Sequence, residues 1–118
     1  MAYLGPALDV QRYFAELPPA AERAGFGIEA YGEAAGWPLL ALRKTAPNAD
    51  APWVYLAAGI HGDEPAGPLA LLRLLREKYF DNQYNWLICP ALNPDGMAAK
   101  TRQHAAGIDV NLDYRDPL

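Results

Sequence analysis

Apolar residues along this chain gather in two short runs, residues 53–58 and 85–92, with a helical pattern between them. The aromatic and β-branched content of both runs is typical of buried strands. From Pro65 to about Tyr79, leucines recur every three or four residues, and this spacing predicts a helix. A strand, a helix and a second strand in this order predict two parallel strands joined by a crossover.

The chain before these runs predicts a helix and a hairpin. The helix begins after Asp9, and we expect Pro18-Pro19 to end it, because proline has no backbone N–H to donate and its ring crowds the preceding turn. Residues 28–32 and 38–43 have strand character on either side of Gly36, which predicts two paired strands. The whole pattern indicates an α/β protein.

Composition agrees with one globular domain. The 118 residues are 52% apolar and 20% charged, which allows a buried core. A net charge of −4 and scattered basic residues argue against nucleic-acid binding. No segment has the roughly 18 apolar residues of a membrane span, and there is no leader pattern, so a cytoplasmic protein is expected. The single cysteine, Cys89, lies within the second apolar run and is predicted to be a buried strand residue.

The loop after the first apolar run contains the most informative chemistry. His61 and Glu64 are three residues apart, and imidazole nitrogen and carboxylate oxygen are both zinc ligands. A catalytic zinc site typically uses three protein ligands, of which this loop supplies two. The alternative is that Asp63 and Glu64 only favour the positive N-terminal end of the next helix, with His61 as a polar loop residue.

A second loop falls on the same edge of the predicted sheet. Asn93-Pro94-Asp95-Gly96 follows the second apolar run and predicts a tight turn. Ligands of open α/β sheets bind outside the carboxyl ends of the strands. The two loops therefore mark the expected position of a functional site.

Four ordered motifs together resemble the zinc carboxypeptidase family of metallopeptidases, family M14, over roughly residues 28 to 116. They are Gly59–Glu64, Asn93–Gly96, Thr101-Arg102 and Gly107–Asn111. The related succinylglutamate desuccinylase and aspartoacylase branch shares the His-Gly-x-Glu loop, but Asn-Pro-Asp-Gly is more similar to the peptidases. The resemblance implies the first half of a three-layer α/β/α sandwich with a mixed sheet.

The resemblance also implies roles for individual residues. His61 and Glu64 match two zinc ligands, and Arg102 matches an arginine that stabilises the developing oxyanion. Asn111 matches an asparagine that helps to hold the substrate's terminal carboxylate. The implied reaction is cleavage of a peptide or amide bond by zinc-activated water. The implied substrate is a peptide or, in the related branch, an N-acyl amino acid.

Two departures from the family pattern qualify these roles. Leu112 stands where the family has a carboxylate-binding arginine, for which Arg115 is a weak substitute. The family's third zinc ligand and its catalytic glutamate lie beyond Asn111, and His104 is at a position where the pattern has no ligand. We therefore expect residues 1–118 to be a partial catalytic domain, truncated at the C-terminus and inactive alone. A non-catalytic binding module is the further alternative.

Overall fold

The computed structural model describes residues 8–102, which form four strands and three helices. In chain order these are α1 (Val10–Arg23), β1 (Gly27–Ala34), β2 (Trp37–Lys44), β3 (Trp53–Ala57), α2 (Ala66–Arg76), β4 (Asn85–Cys89) and α3 (Pro94–Ala99). The strands form one sheet in the order β1-β2-β4-β3. The pairs β1–β2 and β2–β4 are antiparallel, whereas β3–β4 is parallel, so the predicted mixed sheet is confirmed.

Strands β1 and β2 form the predicted hairpin. Ala34 pairs with Trp37, which leaves Ala35 and Gly36 as a two-residue turn with φ values of 51° and 85°. Positive φ at both positions is the geometry whose twist matches that of paired strands. Glycine adopts it without the cost that alanine meets. The register shifts once, between Ala30 and Gly32.

Helix α1 contradicts the expected break at Pro18-Pro19, because it continues through both prolines to Arg23. A proline inside a helix costs about 3 kcal/mol, since a hydrogen bond is lost. Burial on either side of the prolines offsets that cost. Leu17 and Ala21 are completely buried, and the apolar spacing before the prolines resumes after them. Tertiary packing therefore overrides the local signal.

The parallel pair and its crossover helix confirm the central prediction. Trp53 pairs with Asn85, and the register continues to Ala57 with Cys89. Helix α2 is shorter than predicted at its C-terminal end. The chain turns there through Lys78 at φ 53°, where the amides of residues 78 and 79 bond to carbonyls in the last helical turn. This is a Schellman-type end formed without glycine.

The two faces of the sheet differ in burial. Leu42 and Ile88 are neighbours in the register and are fully buried in a core shared with α1 and α2. The next pair, Arg43 and Leu87, lies on the opposite face, where Arg43 is exposed and Leu87 is half-buried. The described residues thus form the sheet and one helical layer of the predicted α/β fold. Cys89 is buried, as expected.

Within residues 8–102, no helix combines the length and apolar character needed to cross a bilayer. The cytoplasmic location stays a prediction.

Candidate metal centre

The loop between β3 and α2 begins as a continuation of the sheet. Beyond the last strand residues, the Ala58 amide donates to the Cys89 carbonyl at 3.0 Å, and the Leu92 amide donates to the Ala58 carbonyl at 3.0 Å. The Asn93 amide then donates to the Gly59 carbonyl at 2.9 Å. Gly59 has φ 73°, a conformation that favours glycine, and there the chain leaves the sheet. These hydrogen bonds therefore fix the backbone at the start of the loop.

His61 and Glu64 are brought together by the next turn. The Glu64 amide donates to the His61 carbonyl at 3.2 Å, and His61 Nδ1 lies 3.1 Å from Glu64 Oε2. The two atoms are within hydrogen-bonding distance, and in this contact the carboxylate accepts when Nδ1 carries the imidazole proton. The His61 side chain is only 10% exposed, whereas that of Glu64 is 60% exposed. The imidazole of His61 is therefore largely enclosed by the protein, whereas the carboxylate side chain of Glu64 is exposed.

This pair fits a zinc ion in its donor chemistry and spacing. Two ligand atoms at tetrahedral zinc–ligand distances of about 2.1 Å lie roughly 3.4 Å apart, close to the observed 3.1 Å. A cleft of about 420 Å³ borders both side chains. No cluster of three or more histidine, cysteine, aspartate or glutamate residues suited to a metal occurs among residues 8–102. Residues 8–102 thus bring together two side chains of the types that bind zinc, His61 and Glu64.

The Asn93–Gly96 motif is not only the predicted turn but also the start of α3. The Asn93 side chain accepts from the Gly96 amide at 3.2 Å and so caps the helix. Pro94 occupies the first helical position, where its missing N–H costs nothing and its fixed φ suits the helix. The same residue types favour a tight turn and a helix N-terminus. The residues that follow determine which of the two structures forms.

Helix α3 packs directly against the His61 loop, which joins β3 to α2. An added Cβ on Gly62 would overlap the backbone of Gly96 and Thr101, and one on Gly59 would lie 2.6 Å from Met97 Sδ. Gly62 is also buried. Glycine is therefore required at position 62, because the two backbone segments approach too closely to leave room for a Cβ. The His61 loop rests on α3 without an intervening side chain.

Arg102 lies just past α3, at the same end of the sheet. The chain leaves the helix through Lys100 at φ 58°, and the Thr101 amide donates to the Gly96 carbonyl at 2.8 Å. Arg102 is exposed, and its carbonyl accepts from the Asn93 side-chain amide at 3.2 Å. The structure therefore brings three predicted residues to one edge: His61, Glu64 and Arg102.

The remaining predicted residues, Asn111, His104, Leu112 and Arg115, lie outside the described residues.

Sequence analysis missed Asn93 as a connecting residue. Its side chain is 1% exposed and also donates to the Ile60 carbonyl at 3.3 Å, next to His61. An asparagine before a proline could have indicated a helix cap. Nothing in the local sequence indicates the bonds to Ile60 and Arg102, which come from other segments.

Comparison with known proteins identifies a family for this arrangement. Residues 50–116, more than half of the chain, match the succinylglutamate desuccinylase/aspartoacylase catalytic domain. Carboxypeptidase SOL1 of Arabidopsis thaliana is 35% identical over 69 residues, covering 48% of this chain and 14% of that protein. The region that matches the family model, residues 50–116, contains the His61 loop, the Asn93 motif and Arg102.

Solved structures extend the likeness to most of the chain. A Shewanella amazonensis SB2B protein provisionally assigned as a metallopeptidase is 33% identical, with a TM-score of 0.78 over 86% of this chain and 39% of that one. A metallo-carboxypeptidase from Burkholderia cenocepacia, at 20% identity, shares the fold, with a TM-score of 0.81 over 95% of this chain and 34% of that one. The chain thus spans well under half of each relative. The resemblance to zinc carboxypeptidases and the α/β fold class are confirmed.

Proposed function

Because the chain belongs to the succinylglutamate desuccinylase/aspartoacylase catalytic-domain family, we propose that it is the N-terminal part of a zinc-dependent hydrolase domain that cleaves a peptide or amide bond. The observation that carries this proposal is the 3.1 Å pairing of His61 Nδ1 with Glu64 Oε2. The pair lies at the carboxyl end of a parallel strand, where α/β sheets bind ligands. The carboxypeptidase and metallopeptidase relatives support the same reaction class.

His61 and Glu64 would hold the metal through one nitrogen and one oxygen. A zinc ion bound there supplies Lewis-acid polarisation of the scissile carbonyl and lowers the pKa of a bound water. His61 Nδ1 would bind a metal only in its unprotonated form. The enclosed imidazole fixes one donor atom, and the exposed Glu64 carboxylate can rotate to complete the pair.

Arg102 would stabilise the negative charge that develops on the carbonyl oxygen. A cation at that oxygen acts most strongly where water is excluded, and because Arg102 is exposed in residues 8–102, bound substrate and the rest of the domain would have to exclude water there. The backbone of Arg102 is tied to the His61 loop through Asn93, which supports the assignment. Asn111 would help to bind the substrate's terminal carboxylate, with Leu112 in place of the family's arginine. A leucine makes no ion pair, so we expect weak dependence on a free carboxylate.

We favour a peptide substrate, because the relatives in both comparisons include carboxypeptidases. An N-acyl amino acid is the second candidate, since the matching family model is that of desuccinylases and aspartoacylases. Hydrolysis of acyl amino acids without hydrolysis of peptides would favour this second candidate.

The third zinc ligand and the general base would come from outside residues 1–118. Catalytic zinc typically uses three protein ligands, and the family pattern places a histidine and a glutamate beyond Asn111. The chain's coverage of only 39% of a solved relative supports this division. The 118 residues alone would bind zinc weakly and hydrolyse substrate poorly. A domain that lacks those residues altogether would be a non-catalytic binding module.

A zinc titration tests the proposal, with binding measured by calorimetry or by a competing chelator. We expect weak binding by residues 1–118, loss of binding in His61→Ala and Glu64→Gln, and tighter binding by a chain that continues beyond Leu118. Asp63→Asn is the matched control, because it removes an exposed carboxylate from the same loop. It should retain the affinity of the unmodified chain.

Equal zinc affinity of the unmodified, His61→Ala and extended chains would refute the proposed metal site. Loss of affinity in Asp63→Asn as large as in Glu64→Gln would show that loop charge, and not a specific ligand, attracts the metal. Peptide hydrolysis by the extended chain, lost on Arg102→Met with zinc still bound, would support the oxyanion role.

A further inference from the structure

One side chain, that of Asn93, joins three segments at the carboxyl end of the sheet. Its Oδ1 accepts from the Gly96 amide at 3.2 Å, while its Nδ2 donates to the Ile60 carbonyl at 3.3 Å and to the Arg102 carbonyl at 3.2 Å. The residue is 1% exposed, so its carboxamide is withdrawn from solvent. Both N–H bonds of the carboxamide are therefore used within the protein.

The orientation of the carboxamide follows from its neighbours. Reversing the amide would point its oxygen at two carbonyl oxygens and its nitrogen at the Gly96 N–H. Each of those contacts would be unpaired or repulsive, and an unsatisfied buried polar group costs about 1–3 kcal/mol. Only the observed orientation satisfies all three partners.

The two donated bonds end on either side of the candidate site. The Ile60 carbonyl belongs to the residue immediately before His61, whose side chain is almost enclosed. The Arg102 carbonyl belongs to the predicted oxyanion-stabilising residue itself. A rotation of either peptide would move the side chain attached to it. The side-chain amide of Asn93 therefore restrains both peptides at once.

We propose that Asn93 is a positioning residue that sets the backbone of the His61 loop relative to that of Arg102. This inference rests on the proposed function. Asn93 acts through the two bonds from Nδ2, whereas its Oδ1 has the separate task of capping α3. The close contact of Gly62 with Gly96 and Thr101 brings the segments together. The side-chain amide of Asn93 then fixes the orientation of the peptide groups at Ile60 and Arg102.

The test separates these two tasks of Asn93. In Asn93→Ser, a hydroxyl can still cap α3, because serine is as good a cap as asparagine, but both donated bonds are lost. Asn85→Ser is the matched control. Asn85 is also buried, and its side chain accepts from the Ala46 amide and donates to the Ala51 carbonyl at the opposite end of β4. Both changes remove a buried carboxamide.

We expect Asn93→Ser to weaken zinc binding by about tenfold, at the low end of the 10- to 100-fold effect typical of residues that support metal ligands. Asn85→Ser should alter zinc affinity by less than about twofold, even if it lowers the melting temperature as much as Asn93→Ser does. Without metal, the amide NMR signals of residues 60–64 and 102 should shift or broaden in Asn93→Ser and stay in place in Asn85→Ser. A purely stabilising role would not produce this difference.

Unchanged signals at residues 60–64 and 102 in Asn93→Ser, or equal effects of both variants on them, would overturn the proposal. The metal-free spectra decide this even if zinc does not bind. Loss of zinc binding in His61→Ala with no effect of Asn93→Ser would retain the proposed function and reject the positioning role. If Asn93→Ser does not fold, the unmodified chain serves: nuclear Overhauser contacts from the Asn93 amide protons to residues 60 and 102 are expected, and their absence overturns the proposal.

Discussion

A buried asparagine organises each end of the parallel β3–β4 pair, and the two differ in what they join. At the amino end, Asn85 accepts from Ala46 at 2.6 Å and donates to Ala51 at 2.9 Å, so both bonds close one loop. At the carboxyl end, the bonds of Asn93 reach three separate segments. The same side chain thus stabilises a loop at one end and aligns several segments at the other.

The two ends also differ in how closely their backbones approach. At the amino end, side chains reach backbone carbonyls: Lys44 Nζ donates to Phe80 at 2.7 Å, and Trp86 Nε1 donates to Asp81 at 2.9 Å. At the carboxyl end, Gly62 lies directly on the backbone of α3. Long side chains can shift when a neighbour changes, whereas backbone packed on backbone cannot. We therefore expect substitutions at the carboxyl end to be tolerated less well.

The largest effect is expected for Gly62→Ala. The added methyl would overlap the backbone of Gly96 and Thr101, which cannot move without disturbing the Asn93 cap. We expect a loss of about 3 kcal/mol in the free energy of unfolding, measured by urea denaturation. Gly67→Ala is the control, because its Cβ would meet only Ala58 at 3.8 Å and it lies in α2. It should stabilise the protein by about 0.5 kcal/mol. Equal midpoints for both variants would contradict the close backbone packing.

An intermediate effect is expected at the amino end from Lys44→Met. The half-buried ammonium group donates to the Phe80 carbonyl, and a charged hydrogen bond of this kind contributes about 1.5 kcal/mol. Zinc affinity should not change, because the substitution is at the end of the sheet opposite His61. Arg43→Met, an exposed neighbour on the same strand, should cost no more than about 0.5 kcal/mol. A change in zinc affinity with Lys44→Met would show that the two ends are coupled.

The smallest effect is expected from Glu16, which joins α1 to α2 away from both ends. Hydrogen bonds from Arg12 and then Arg76 lower the pKa of its carboxyl group below the ordinary value. The stabilisation is therefore present above the unfolded-state pKa, about 4.5, and is lost as the pH falls through the lowered folded-state pKa. The melting temperature of Glu16→Gln should lie slightly below that of the unmodified chain at pH 7, and the gap should close as the pH falls through the lowered folded-state pKa of Glu16. Glu22→Gln, an exposed glutamate on the same helix, is the control. A gap that does not narrow with falling pH would exclude ionisation as the cause.

The sequence by itself determined the parts of this protein that depend on local periodicity and residue type. The apolar runs predicted the parallel pair, and Gly36 predicted the hairpin. The spacing of His61 and Glu64 placed both side chains on one loop, and their role as metal ligands stays a proposal. Each signal lies within a few neighbouring residues, where side-chain period and backbone geometry are directly linked.

Only the tertiary structure decided the features that depend on residues distant in the chain. Burial of Leu17 and Ala21 carried α1 through Pro18 and Pro19, against the local signal. The bonds from Asn93 to Ile60 and Arg102, and the contact of Gly62 with α3, have no periodic signature. The physical reason is that packing and buried hydrogen bonds depend on which backbone groups meet in the folded state.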